Sequence, residues 1–500
     1  MRLPPRWFAI GAVVLAFAGC SSDDNPVDPG PDETAPPTID RFTVTGSLPL
    51  DHGESTKLLW KAPNAASAVI TPGIGSVAPA QDGTFTIRPT ETTTYTLTVS
   101  NSAGTAESQL TVEVRYAPGL YVNSTHGDDE DLGTSPSTAL RTLGQALTRV
   151  GGGSAIYLTG SPNPAIGTYP EALVFDSQDV SIFGGRNPET FFPDPASSIT
   201  IIKPSSGVPL TVRNTSTKLQ FFDLRFDASN GGSEAVRIEN ASAAFETCSF
   251  DARNSASGVA IVLEGSGRVD VNASRVYGGR DRPYLESAGV RASTAGELLI
   301  TNCFIDGGLA LEHSSGIEAR GIVHVGFNTI VSQVNASGLD RYASGIRIVD
   351  GHPAIGGNIF VGQGAGQRVG VAETQAGSTN PSWFEGNLFV GVTIPPYLNA
   401  DGESPASEKE LNQWENTNGN ASTVGGNYWP DEVAASVLFV SLANRDYHLV
   451  HPLPGGAPNP AVDRGDVYLK KAEYGAVTRD FDGARRPTTA AKLDLGADER

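Results

Sequence analysis

Asn302-Cys303-Phe304-Ile305, Phe327-Asn328-Thr329-Ile330, Gly357-Asn358-Ile359-Phe360 and Gly386-Asn387-Leu388-Phe389 decide how this chain is read. They continue a series begun by Asp223-Leu224-Arg225-Phe226, Thr247-Cys248-Ser249-Phe250 and Ala273-Ser274-Arg275-Val276. Counted on the second residue of each, the steps are 24, 26, 29, 25, 30 and 29. A second apolar position recurs 11 to 16 residues before that column, at Val236, Val259, Val290, Ile317, Ile346 and Val371, usually after a Gly. A unit of this length with several short strands and no helix is one rung of a β-solenoid. Neighbouring rungs pair about 4.8 Å apart, so each backbone group inside is satisfied by the coil above or below.

The chemistry of the column fits a packed corner. Leu, Cys, Ser, Cys and three Asn are small or amide-bearing. Asn328, Asn358 and Asn387 resemble the stacked Asn ladder of β-helix proteins, in which each amide donates to turn carbonyls and to the next Asn. That is a structural role. Cys248 and Cys303 lie two rungs apart in this column, roughly 10 Å by strand spacing. A disulfide needs Cα atoms within about 7 Å, so both are expected as buried thiols.

Upstream, Leu120-Tyr121-Val122-Asn123 is a short strand. Thr142-Leu143-Gly144-Gln145 has capping-box spacing and opens a short helix with Leu143, Ala146, Leu147 and Val150 on one face. Ile156-Tyr157-Leu158 is a strand again. This series resembles the entry segment of pectate-lyase-like proteins, where a helix caps the open end of the coil. Asp446-Tyr447-His448-Leu449, Pro460-Ala461-Val462-Asp463-x-Gly465, Asp480-x-Asp482-Gly483 and Asp494-Leu495-Gly496-Ala497 resemble the terminal segment of bacterial surface β-helix proteins. They are expected to cover the last rung.

Residues 38–115 alternate apolar and polar positions, as in Tyr95, Leu97 and Val99, then Leu110, Val112 and Val114. Period two with short polar turns means strands with one buried face. Gly53-x-Ser55-x-x-Leu58-x-Trp60 and Thr93-Thr94-Tyr95-x-Leu97-x-Val99 resemble bacterial surface immunoglobulin-like domains. The expected fold class is therefore all-β: a small immunoglobulin-like β-sandwich, then a right-handed parallel β-helix with a short N-terminal capping helix. The expected boundaries are 1–19 signal peptide, 20–37 tether, 38–115 sandwich, 118–445 β-helix and 446–500 closing segment.

The N-terminus supplies an address. Arg2 and Arg6 precede an apolar stretch, Trp7 to Ala18, of signal-peptide length. Phe17-Ala18-Gly19-Cys20 resembles the lipobox of bacterial lipoproteins, which implies lipidation of Cys20 and a membrane as partner. Ser21 after it resembles the sorting pattern for the outer membrane. Residues 21–37 are Pro, Asp, Ser and Gly with little to bury, a solvated tether. Cleavage before Cys20 leaves 33 basic side chains against 55 acidic, a net charge of −22. Such a surface repels nucleic acid. A monomer is expected.

No His-Glu-x-x-His, Cys-x-x-Cys, Gly-x-Ser-x-Gly or Walker motif is present. The repeats hold no Lys between Lys218 and Lys409 and no paired Asp of the polygalacturonase kind. One polar constellation stands out. Glu286, His313 and Tyr342 each lie four residues before Val290, Ile317 and Ile346, flanked by Arg282 and Arg341. Between Asp251 and Arg291 six Arg stand against five acids, the least acidic stretch of an acidic chain. Carboxylate, Arg and aromatic ring together suit an extracellular polysaccharide, and Arg grips a carboxylate bidentately. His, Tyr and Glu in reach of one another could also move protons, so a polysaccharide lyase or glycoside hydrolase is the competing reading. No cofactor is demanded. Asp128-Asp129-Glu130-Asp131 is a candidate calcium loop, since Ca²⁺ takes carboxylate oxygens.

The N-terminal reading has a direct check. Cys20→Ala should release the protein from the membrane fraction and block lipoprotein-type processing. Retention equal to the parent's would refute the anchor.

Overall fold

A computed structural model of the chain places the repeated tetrapeptides at one corner of a right-handed parallel β-helix of about nine turns. The structure describes residues 35–400 except 165, 216, 335–341, 365, 376–378 and 394. Beyond 400 it describes residues 404–413, 423–430, 438–441, 446–450, 453, 458–461 and 495. Cys20, Arg341 and most of the Asp-rich C-terminal motifs lie outside the described residues. The chain divides into two compact units, residues 1–115 and 116–500.

In the first unit two antiparallel sheets share one core. Arg41–Val44, Thr56–Lys61 and Asp82–Ile87 form one. Gly75–Val77, Ser67–Thr71, Thr93–Asn101 and Gly104–Val112 form the other. Alternation puts Leu58 and Trp60 of the first against Ile70, Leu97 and Val99 of the second, all fully buried. Trp60 Nε1 donates to the carbonyl of Pro79 at 3.2 Å, which satisfies its polar tip inside the core.

In the second unit each turn of the helix contributes to three parallel strips. Strip A runs from Leu120–Val122 through Ser242–Glu246 and Gly267–Asn272 to Thr423–Gly425. Strip B includes Leu224–Asp227, Ser249–Asp251, Arg275–Tyr277 and Leu388–Val390. Strip C includes Glu234–Glu239, Val259–Glu264, Tyr284–Arg291, the later part of Phe304–Ala319, Tyr342–Ile348 and Gln367–Glu373. Val236, Ile261, Val290, Ile317, Ile346 and Val371 are register partners on the inner face of strip C; Ile261 takes the place expected for Val259, which pairs two residues earlier with Glu234 and Ala288. Like residues stack on like inside: Phe221 on Phe245 at 5.0 Å, Phe226 on Phe250 at 5.7 Å, Phe360 on Phe389 at 5.0 Å. The Gly before Val290, Ile317, Ile346 and Val371 makes room for that stack. A Cβ on Gly316, Gly345 or Gly370 would come 2.2 Å from Ile330, Phe360 or Phe389 respectively.

From Asp223 to Gly386 the corner between strips A and B is a tight turn whose first residue is left-handed in seven successive rungs. Asp223, Thr247, Ala273, Asn302, Phe327, Gly357 and Gly386 have φ between 47° and 71°. Only the last two are the Gly that this region favours. The second residue points inward, and here the Asn ladder forms. Asn358 Oδ1 accepts from the backbone N–H and the amide of Asn328, each at 3.0 Å. Asn358 Nδ2 donates to Val325 O at 3.0 Å, Gly356 O at 3.1 Å and Asn387 Oδ1 at 3.0 Å. The ladder runs one rung further than the repeat alignment carried it, since Asn387 bonds Asn427 in the same way. Asn427 lies 40 residues on, outside the repeat length. In the earlier rungs Cys248 and Cys303 occupy this site as free, buried thiols, and burial pushes the Cys303 thiol up to about 12 and that of Cys248 higher still.

The two ends of the coil are closed by helices. At the start α1 (Leu143–Arg149) buries Leu143 and Ala146 against Val122 and Ile156. Thr142 caps it, accepting from Gln145 N at 3.2 Å. The reciprocal half of the box comes from Asp129, which accepts from Thr142 N at 2.9 Å, and not from Gln145. At the far end α2 (Glu408–Asn412) puts Leu411 into the core, and Asn412 exchanges hydrogen bonds of 2.8 Å with Asn427, ending the ladder. Leu438, Phe439, Leu449, Ala461 and Leu495 pack along the outside of strips A and B, on Phe304, Val331, Ile359, Val361, Trp383, Leu388 and Val390. The reason is the sequence of strip B itself, whose outer face over these rungs carries Phe304, Val331, Ile359, Val361, Leu388 and Val390 among the polar Asp306 and Thr329, so that it also needs cover.

Asn358→Ala should lower unfolding stability by about 3 kcal/mol, because it strands the Asn328 N–H and the Val325 carbonyl in a dry site at about 1–3 kcal/mol each. A urea midpoint within error of the parent's would show that the ladder is ornamental.

Candidate functional site

Strip C carries the polar constellation. Glu286 pairs in register with His313, His313 with Tyr342, and Tyr342 with Gln367. Rung spacing thus holds Glu286 and Tyr342 about 10 Å apart on one lateral face. The His313 and Tyr342 rings lie 4.9 Å apart, tilted by 58°. Glu286 is well exposed, and the two rings are half-buried.

A second register column underlies this one. Arg291, Glu318 and Arg347 follow directly after Val290, Ile317 and Ile346 and alternate in sign. Glu318 is buried, with Arg291 Nε at 2.6 Å and Arg347 Nη1 at 3.9 Å. Arg347 also reaches Glu286 Oε1 at 3.8 Å and hydrogen-bonds the Tyr342 hydroxyl. A buried carboxylate needs such pairing. Arg347 therefore ties the exposed column to the buried one. The sequence alignment contained this signal one residue past each aliphatic position, but with the flanking charges assigned by proximity in sequence it went to Arg282 and Arg341 instead. Arg282 Nε donates to Asn254 Oδ1 at 2.6 Å in the loop before the strand. Arg341 lies outside the described residues.

The electrostatics suit hydrogen bonding more than proton transfer. Burial, then the Arg347 guanidinium, lowers the His313 pKa, with Glu286 and Glu312 opposing. Burial raises the Tyr342 phenol, with Arg347 opposing. At neutral pH the face thus offers a neutral imidazole, a phenol, a carboxylate and a guanidinium. His313 Nδ1 is buried with no hydrogen-bond partner among the described residues. A buried ring nitrogen without a partner is costly unless something fills it.

The acidic loop has another job. Asp129 accepts from Arg141 N, Thr142 N and Thr142 Oγ1, each at 2.9 Å, and these bonds outweigh its partial burial to lower its pKa. Asp128 Oδ1 accepts from Glu130 N at 3.1 Å, and Arg149 Nη2 reaches Asp129 O at 2.6 Å. Arg149 Nη1 also donates to Asp131 O. The loop holds α1 in place. Among the described residues no group of three or more His, Cys, Asp or Glu is placed to hold a metal ion. In the candidate loop Asp128, Asp129, Glu130 and Asp131, the Asp129 carboxylate is turned inward onto the helix start. The chain matches no protein-family model and no curated protein.

The His313 shift makes a pH prediction. Its folded-state pKa lies below the 6.5 of the unfolded chain, so the unfolded chain takes up more protons as pH falls. The contribution is absent above that value and becomes destabilising as pH drops from it toward the folded pKa. His313→Gln should therefore shrink the loss of melting temperature between about pH 7.5 and 5.5. An unchanged loss would mean that the imidazole is not desolvated.

Proposed function

We propose that the protein is a lipid-anchored, non-catalytic protein of the cell envelope that binds extracellular polysaccharide along the side of its β-helix. The observation that carries this is the in-register ladder Glu286–His313–Tyr342 with Arg347 beside it. A polymer of similar units suits a surface built by repetition at one rung spacing. Tyr342 and His313 present ring surface to a sugar face, Glu286 accepts from hydroxyl groups, and Arg347 donates to hydroxyl or carboxylate oxygens. The lipobox-like N-terminus supports the envelope location, and the strongly acidic surface supports solubility outside the cell.

The test is retention on a panel of immobilised uronate-containing and neutral polysaccharides, with product analysis on the same mixtures. His313→Ala and Tyr342→Ala should each weaken retention about tenfold, a loss near 1.4 kcal/mol. Retention unchanged in both variants would remove the ladder as the site. Release of unsaturated or reducing ends by the parent, lost in His313→Ala, would replace binding with the lyase or hydrolase reading.

A further inference from the structure

A hollow of about 270 Å³ lies open on the outer face of strip A. Two register columns build it. The first runs Phe222, Glu246, Asn272, Thr301 and the second Gln220, Ala244, Asp270, Leu299, each with one residue from four successive rungs. Along each strand the two columns are two residues apart, about 7 Å. Ala244 is the cause of the hollow. It sets only a methyl group between Gln220 and Asp270, so one place in the second column is left unfilled.

One wall of the hollow is an aromatic face. On the outside of strip A, Tyr121, Tyr157, Phe183 and Phe222 stack at 5.0, 5.3 and 5.1 Å in successive rungs. The last two rings are within 10° of parallel. The stack ends there, because the register partner of Phe222 is Glu246. Phe222 is half-buried, with the Phe183 ring on one side and the hollow on the other. A ring one rung spacing further along would continue the stack, over Ala244 and beside Glu246.

The polar groups around that place are oriented and uncommitted. Asn272 Oδ1 accepts from Thr301 Oγ1 at 3.1 Å and from Asn302 Nδ2 at 2.9 Å. These bonds fix which way the amide points. They leave Asn272 Nδ2 without a partner among the described residues, as a donor at the edge of the hollow. The Glu246 carboxylate likewise makes no ion pair or hydrogen bond among the described residues. Asp270 differs. Lys218 and Arg268 hold it, Arg268 Nε at 2.8 Å, and Arg268 Nη1 also reaches Glu297 at 2.7 Å. Both of these cations are therefore occupied, and the hollow is lined by two carboxylates and no basic residue. An anionic ligand meets repulsion there, in a chain of net charge −20. An apolar ligand would strip water from Glu246 without pairing it. An ammonium group would meet the Asn272 amide donor to donor. The occupant that fits is an uncharged ring with hydroxyl groups on its edge.

We propose that this hollow is a subsite for one uncharged pyranose unit of a polysaccharide, which stacks on Phe222, accepts from Asn272 Nδ2 and donates to Glu246. It rests on the polysaccharide reading for its ligand class and is separate in position from the strip C ladder. Its volume lies just under the range of about 300–1,000 Å³ for pockets that hold drug-sized ligands, which suits a single unit of a longer chain.

Titration calorimetry tests this on the full chain carrying His313→Ala and Tyr342→Ala, in which both rings of the strip C ladder are removed. The probes are neutral gluco-, manno- and galacto-oligosaccharides, oligogalacturonate and oligoglucosamine, all of equal length. This background should bind one neutral oligomer at least about tenfold tighter than either charged one, and the neutral oligomer that binds tightest assigns the stereochemistry of the ring. Adding Phe222→Leu, which keeps an apolar cover on Phe183 but removes the ring face, or adding Glu246→Ala should each weaken that binding about tenfold. The Glu246→Ala chain should melt as its background does, and it carries the test alone should the Phe222→Leu chain melt lower. Neutral affinity within twofold of the background in Glu246→Ala overturns the subsite, as does tighter binding of either charged oligomer. If the background binds no probe while the unsubstituted chain binds one, the subsite is overturned and the polysaccharide reading stands on the ladder. An unsubstituted chain that binds none overturns both.

Discussion

Backbone hydrogen bonding between rungs is the constraint on which everything else in the second unit depends. A rung has no partner of its own. Its N–H and C=O groups are satisfied only by the coil above and below. Register is then shared by every side chain, because a strand that slips by one residue turns its apolar positions outward. The stacked columns are the consequence: Phe on Phe, Ile on Val, Asn on Asn. So is the uniform left-handed residue at the A–B corner. From Asp223 to Gly386 the coil demands the same turn at each rung, and Thr247, Ala273 and Phe327 accept it although each costs about 1–2 kcal/mol more there than in a right-handed conformation.

Because register is inherited, polar residues in one column come together with little further design. Glu286, His313 and Tyr342 are 27 and 29 residues apart in sequence and adjacent in space. The same holds for Arg291, Glu318 and Arg347 beneath them. The outer face of strips A and B shows the complementary case. Where its column is apolar the chain covers it with its own C-terminal residues. Where the column turns to Arg225, Ser249 and Arg275 it is left as a groove. One repeated backbone thus offers three outer surfaces, and the side chains at single column positions decide the use of each.

Much of this was legible in the sequence. The spacing of the tetrapeptides with their aliphatic partners determined the parallel β-helix, its rung length, the Asn ladder at Asn328, Asn358 and Asn387, and the common column of Glu286, His313 and Tyr342. The period-two runs before residue 115 determined the antiparallel sheets. Each of these rests on periodicity, which a chain displays in one dimension. Only the tertiary structure decided the rest. It brought Asn427 to the ladder across an irregular 40-residue step and ended the ladder on Asn412. It chose Arg347 over Arg282 as the partner of Glu286, and it turned Asp129 onto the start of α1. It also laid the C-terminal residues along the flank of the coil. These contacts join residues that share no period, and their partners are set by which groups remain unsatisfied once the rungs have stacked.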